Sequence, residues 1–190
     1  MTSKDNYQTI WKLLEPVARR KEVGARQWLL NEGDVSQTLF YIQEGCLRLW
    51  FNDHGHDVTF QFFFEGEFVG SVESFKLGKP SLFTIETVLP SVLYTIHKDD
   101  ALSVIEDSVG GRKAANELLY QRLYHYQRLF LSRIKNSPRR RYEELAREHP
   151  GLLEKIPHHY IASYLGITPV SLSRIRTKIK QEKDDASSVL

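Results

Sequence analysis

Hydrophobic positions along the chain change period twice. Between residues 5 and 15, Tyr7, Ile10, Trp11 and Leu14 share one side of a helical projection, which predicts a short amphipathic helix stopped by Pro16. From Val17 to about Ile96 the apolar residues come instead in short runs, over 27–30, 39–42, 46–51, 58–64, 83–88 and 92–96. Gly33-Asp34, Gly45, Asn52-Asp53-His54-Gly55 and Gly66 punctuate them. Strand-sized runs separated by turn residues predict a small antiparallel β jelly-roll barrel. The helical period then returns. A short helix is expected over 98–107, ending near Gly110-Gly111, and a long one over 112–136. The long helix carries Ala115, Leu119, Leu123, Tyr126, Phe130 and Ile134 at spacings of three and four, widened by Leu118 and Leu129. Such a stripe packs along something equally long, either the chain's own barrel or a second copy in a two-stranded coiled coil.

Asn136-Ser137-Pro138 interrupts this helix, with Ser137 as N-cap and Pro138 as first residue of the next, to about His149. Residues 156–179 then read as two short helices joined by a tight turn. Pro157 suits a first helical position, Ile161, Ala162 and Leu165 form one apolar face, and Gly166 suits a left-handed helix end. Ile167 is the expected plug between the helices. Thr168 is the N-cap of the second helix and Pro169 its first residue, with Leu172, Ile175 and Ile179 inward. The other face holds Ser171, Ser173, Arg174, Arg176, Thr177 and Lys178. Hydroxyls and cations on a short helix suit a major groove lined by phosphates and base-edge acceptors, although a solvated helical hairpin has the same pattern. The tail from Gln181 is polar and expected to fray.

The fold class expected is α+β, in three parts: a barrel over residues 1–111, a long helix and hinge over 112–136, and a helix–turn–helix domain over 137–190. With 41% hydrophobic residues, the chain of 190 residues can bury a core. The net charge of +2 conceals an asymmetry. Residues 1–111 carry 10 Lys/Arg against 16 Asp/Glu, whereas 112–135 carry 6 against 1 and 136–180 carry 9 against 4. Only the basic back half therefore suits a polyanion. The single cysteine, Cys46, rules out a disulfide framework or a multi-cysteine iron–sulfur site, and fits a reducing cytoplasm. The first residues lack the apolar run of a secretory signal, and no apolar stretch reaches membrane-spanning length.

In this order, barrel, long helix, hinge and helix–turn–helix resemble the cyclic-AMP receptor protein and fumarate–nitrate regulator superfamily of bacterial transcription factors. Three motifs carry the resemblance: Asn31-Glu32-Gly33-Asp34 with 39–45, Phe64-Glu65-Gly66-Glu67-Phe68-Val69-Gly70, and the helix–turn–helix. The resemblance implies a cyclic-nucleotide-binding-like barrel, a winged helix–turn–helix, and a homodimer joined through Leu119, Leu123, Tyr126 and Phe130. It also implies double-stranded DNA and RNA polymerase as partners. Arg174 matches an arginine the family uses for base readout, with Ser173, Val170 and Ser171 beside it, while Thr168, Lys178, Arg139 and Arg140 are phosphate-contact candidates. Val170 and Pro169 depart from the residues found in well-known branches, so the preferred site should differ from theirs.

The effector is less legible. Gly66, Glu67, Phe68, Ser81, Leu82 and Phe83 stand where the resemblance implies the phosphate-binding cassette. Ser81-Leu82-Phe83, however, occupies the place of the family's Arg-Ser-Ala. Burying a phosphate without its guanidinium is costly, which disfavours cyclic AMP. The barrel is therefore expected to sense an unknown small molecule or none, with no cofactor and no metal. A metal-dependent cupin-type enzyme is the alternative, suggested by His54-Gly55-His56, but Phe60 and Gln61 stand where its glutamate belongs. No nucleophile–base set and no P-loop is present, so an enzyme is not expected. A third possibility is a ligand-binding module whose helix–turn–helix contacts protein.

Overall fold

A computed structural model describes residues 3–151 and 153–187. Helix α1 (Ser3–Leu14) buries Tyr7, Ile10 and Leu14, and a 3-10 turn containing Pro16 ends it. Two four-stranded antiparallel sheets follow. The first has the order β1 (Arg19–Val23), β8 (Ser91–His97), β3 (Thr38–Glu44), β6 (Phe68–Val69). The second has the order β2 (Trp28–Leu30), β7 (Thr84–Thr87), β4 (Leu47–Asp53), β5 (His56–Phe63). Phe40, Ile42, Leu47, Leu49, Phe63, Ile85 and Leu93 fill the space between them.

The expected barrel is not closed, because no ladder of described strands joins the sheets. Arginines from the long helix α4 (Val109–Lys135) reach the open edges instead. Arg133 Nη2 donates to the Phe60 carbonyl on β5 at 2.9 Å, and Arg122 Nη2 donates to that of Phe68 on β6. Charged donors satisfy carbonyls that a closing ladder would otherwise use. Strand β1 escapes pattern reading because four of its five residues, Arg19 to Glu22, are exposed. Helix α2 (Val72–Leu77) also lies where no element was expected. At the β3–β4 turn Gly45 has φ +108°, and a Cβ there would stand 2.2 Å from Ser91 Oγ, so only glycine fits.

Helix α3 (Lys98–Glu106) ends as anticipated, but Gly110 and Gly111 do not terminate it. They lie in the first turn of α4, whose N-cap Ser108 accepts from the Gly111 N–H at 2.8 Å. A Cβ on Gly111 would lie 2.6 Å from the Ile105 carbonyl, so the glycine permits a close α3–α4 approach. Helices α5 (Pro138–Glu148), α6 (His158–Leu165) and α7 (Pro169–Ser187) complete the chain. The tail expected to fray from Gln181 is helical to Ser187; residues 188–190 lie outside the described residues. Gln, Glu and Lys are good helix formers, and Arg139 Nη1 donates to Glu182 at 3.0 Å, tying the extension to α5. The described residues of 138–187 hold helices and no strands, so the wing implied by the resemblance is not formed by them.

The helical domain sits against the outer face of the second sheet. Cys46, Phe62, Phe64 and Val88 share one buried cluster with Leu145, Leu153, Ile156, Tyr160, Ile161, Leu165 and Leu172. Helix α6 also binds the free edge of β5: Ser163 Oγ accepts from Thr59 N at 2.9 Å and donates to the Asp57 carbonyl at 2.8 Å.

Candidate nucleic-acid interface

Local chemistry builds the turn between α6 and α7. Gly166 is left-handed at φ 66°, and the N–H of Ile167 reaches the Ala162 carbonyl at 3.0 Å, which closes α6. Pro157 is the N-cap of α6, which begins at His158, one residue later than expected. Thr168 Oγ1 accepts from the Ser171 N–H at 3.2 Å and caps α7, with Pro169 as its first residue. Ile161, Leu165 and Leu172 are fully buried, and Ile167 and Ile175 are half-buried. This packing fixes which face of α7 turns outward.

The outward face carries Val170 (62% exposed), Ser173, Arg174, Thr177 and Lys178. Arg174 makes no ion pair with a described residue, so its guanidinium fork is available for a guanine edge. Val170 leaves its methyl groups exposed. Ser171 is half-buried with its hydroxyl 3.0 Å from that of Thr168, so both hydroxyls are committed to the cap. Arg139 is also occupied, with Glu143 at 2.9 Å and Glu182, while Arg140 is exposed and only 3.7 Å from Glu144. Of the eight sequence candidates, Arg174, Ser173, Val170 and Lys178 thus present free groups, and Arg140 is exposed but paired with Glu144. Thr168, Ser171 and Arg139 do structural work.

The six effector candidates do not share one cavity. Gly66 and Glu67 line a cleft of about 830 Å³ between the first sheet, α1 and the α5–α6 connection, with Tyr7, Phe64 and His149. Glu67 accepts from the Phe64 N–H at 2.8 Å and stands 3.9 Å from Arg122 of α4. Burial raises its pKa, opposed by Arg122 and by the Phe64 N–H. Phe68 is buried against α1 and α4. Ser81 Oγ bonds the Phe83 carbonyl at 2.7 Å and Ser71 at 3.0 Å, Leu82 is 72% exposed, and Phe83 packs edge-on against Phe60. The two histidines of the cupin alternative, His54 and His56, are exposed at the β4–β5 turn. Among the described residues, no three His, Cys, Asp or Glu side chains are placed to hold a metal ion.

One group of residues carried no sequence signal. Arg48, with its side chain 2% exposed, pairs with buried Glu86 at 2.6 Å and bonds Thr59 and Asp57 at 3.0 Å each. Its guanidinium lies 3.7 Å from the ring centroid of Tyr160 on α6. A lone arginine in a strand pattern looks like a surface residue, and only the cross-strand register Arg48–Glu86 reveals the pair.

Residues 20–108 match the family described as the cyclic nucleotide-binding domain. No curated protein matches the sequence. Solved structures similar to the chain include FixK2 from Bradyrhizobium japonicum, with TM-score 0.74, 13% identity, and 88% of this chain and 86% of that one covered. A protein of the crp/fnr family from Eubacterium rectale gives 0.69 and 21%, over 91% and 83%. The catabolite activator protein of Thermus thermophilus gives 0.54 and 21%, over 93% and 84%. These identities speak to architecture. No helix among the described residues is long and apolar enough to cross a membrane. Residues 20–108 are therefore similar to the cyclic nucleotide-binding domain family, and the chain as a whole shares the fold of these solved structures.

Proposed function

We propose that the protein is a homodimeric, sequence-specific DNA-binding transcription regulator acting in a bacterial cytoplasm. The observation that carries this reading is α7. Its buried side is anchored by Leu172 and its cap by Thr168, leaving Arg174, Ser173, Val170 and Lys178 outward on a rigid helix. Bidentate arginine contacts to guanine contribute about 1–3 kcal/mol of discrimination, and exposed cations add salt-sensitive phosphate attraction. The dimeric part rests on α4, where Leu119, Leu123, Tyr126, Phe130 and Ile134 are all exposed along one line. Phe130 and Ile134 are each 66% exposed, and a second α4 is the surface that matches such a stripe. The sandwich interior is filled by apolar side chains, so a small effector, where one acts, fits the clefts between domains better than the interior.

Selection of bound duplexes from a random pool, with purified protein and no added ligand, tests the reading. Enrichment of a two-fold symmetric site is expected. Binding that is equal for all sequences would overturn it.

A further inference from the structure

A second cavity, of about 420 Å³, lies inside the elbow between α4 and α5. That volume is within the range of small-molecule sites. Arg128 and Lys135 line it from α4, Arg141 and Arg147 from α5, and Tyr164 from α6. None of these four cations is in an ion pair with a described residue. The lining also holds two carboxylates, Glu148 and Glu144, the latter bonded by Ser132 at 2.9 Å and by Asn136 at 2.8 Å, so the four cations outnumber the anions by two.

Arg141 is the centre of the site. One end of its guanidinium, Nη2, donates to the Leu165 carbonyl at 2.7 Å, while its Nε is buried with no acceptor. A buried N–H left unmatched is costly, and a guanidinium edge matches the geometry of a phosphate or carboxylate. Burial and the nearby Arg133 both press against the Arg141 charge, opposed by Tyr164 and Glu144. His125, also in the lining, is held below its ordinary pKa by burial and by Arg122, Arg128 and His149. At neutral pH it supplies a hydrogen-bonding edge.

We propose that this elbow binds a small polyanion, a phosphate- or carboxylate-bearing metabolite, between Arg128 and Lys135 on one side and Arg141 and Arg147 on the other. The occupant touches the long helix and two helices of the helix–turn–helix domain at once. It therefore favours the relative placement of those elements seen here. The site is separate from the recognition face and does not require that α7 read DNA.

The test is calorimetric titration of the full chain with pyrophosphate and, separately, with citrate, at fixed ionic strength so that screening is constant. Saturable binding of at least one is expected, pyrophosphate alone indicating a phosphate ester and citrate alone a polycarboxylate. Arg141→Gln should weaken it about tenfold or more, the loss of one charge-assisted contact. Lys135→Gln, at an exposed position with no structural bond, should weaken it in the same direction, and Arg174→Gln should leave it unchanged. No saturable binding of either anion overturns the proposal, as does equal weakening by all three substitutions. Loss confined to duplex DNA binding would make these cations backbone contacts and overturn it too.

Discussion

The guanidinium of Arg48 lies 3.7 Å from the ring centroid of Tyr160, joining a strand of the second sheet to the first helix of the helix–turn–helix. Tyr160 Oη also reaches Glu86 at 3.5 Å, so ring and carboxylate hold one cation from two domains. With Arg48 and Glu86 side chains 2% and 4% exposed, water can replace neither partner. The relative placement of the domains thus depends on a buried charge as well as on apolar packing.

Arg48→Ala removes the cation and leaves Glu86 buried. Breaking a buried pair in this way costs about 3–5 kcal/mol, read as a lowered urea midpoint. Tyr160→Leu keeps the ion pair and loses the ring, a loss of about 2 kcal/mol for a desolvated contact. Hydrogen exchange should then quicken at the Thr59 amide, whose acceptor is Ser163 on α6. An unchanged Thr59 rate would show that α6 docks without the cation.

Glu67 predicts a pH dependence. Its carboxyl titrates near 4.5 when unfolded and higher when folded, with burial as the main cause. Between the two values the folded chain holds the extra proton. This contribution to stability is therefore full below about 4.5 and is lost as pH rises through the folded value. Glu67→Gln should flatten the fall in urea midpoint over that window. Parallel curves for wild type and variant would refute this account of Glu67.

On α7, Arg174→Ala should bring affinity for a selected site down to that for scrambled DNA, whereas Lys178→Ala should lower the salt slope by about one. Arg139→Ala should leave that slope unchanged, because its guanidinium already serves Glu143 and Glu182. Its effect should appear as reduced helicity of the α7 extension.

Phe130→Glu or Leu123→Glu places a charge in the α4 stripe, and sedimentation should show the mass of one chain in place of two. Both side chains are exposed within the single chain, so circular dichroism should be preserved. A dimer that survives both substitutions would place the self-contact elsewhere.

Local chemistry was readable wherever a few neighbouring residues decide a conformation. Ser137-Pro138 and Thr168-Pro169 begin helices, and Gly166 ends one, because caps and left-handed turns are made within a few residues. The apolar period of α4 and the strand-sized runs of the two sheets were legible for the same reason. The pair Gly110-Gly111 misled, since a glycine that ends a helix and one that admits a neighbouring carbonyl are the same residue.

What the amino-acid sequence determined by itself was the alternation of helical and strand-sized segments outside β1 and α2, the helix caps, and the outward face of α7, all products of local propensity and period. Tertiary structure alone decided that the sheets stay open beside α4, that the effector candidates disperse, and that Arg139 is held by Glu182. It also decided that Arg48 is buried under Tyr160. Those outcomes depend on which distant groups meet, as Arg48 meets Glu86 at 2.6 Å and Tyr160 at 3.7 Å, and hydrogen bonds and desolvated charges are set by that proximity.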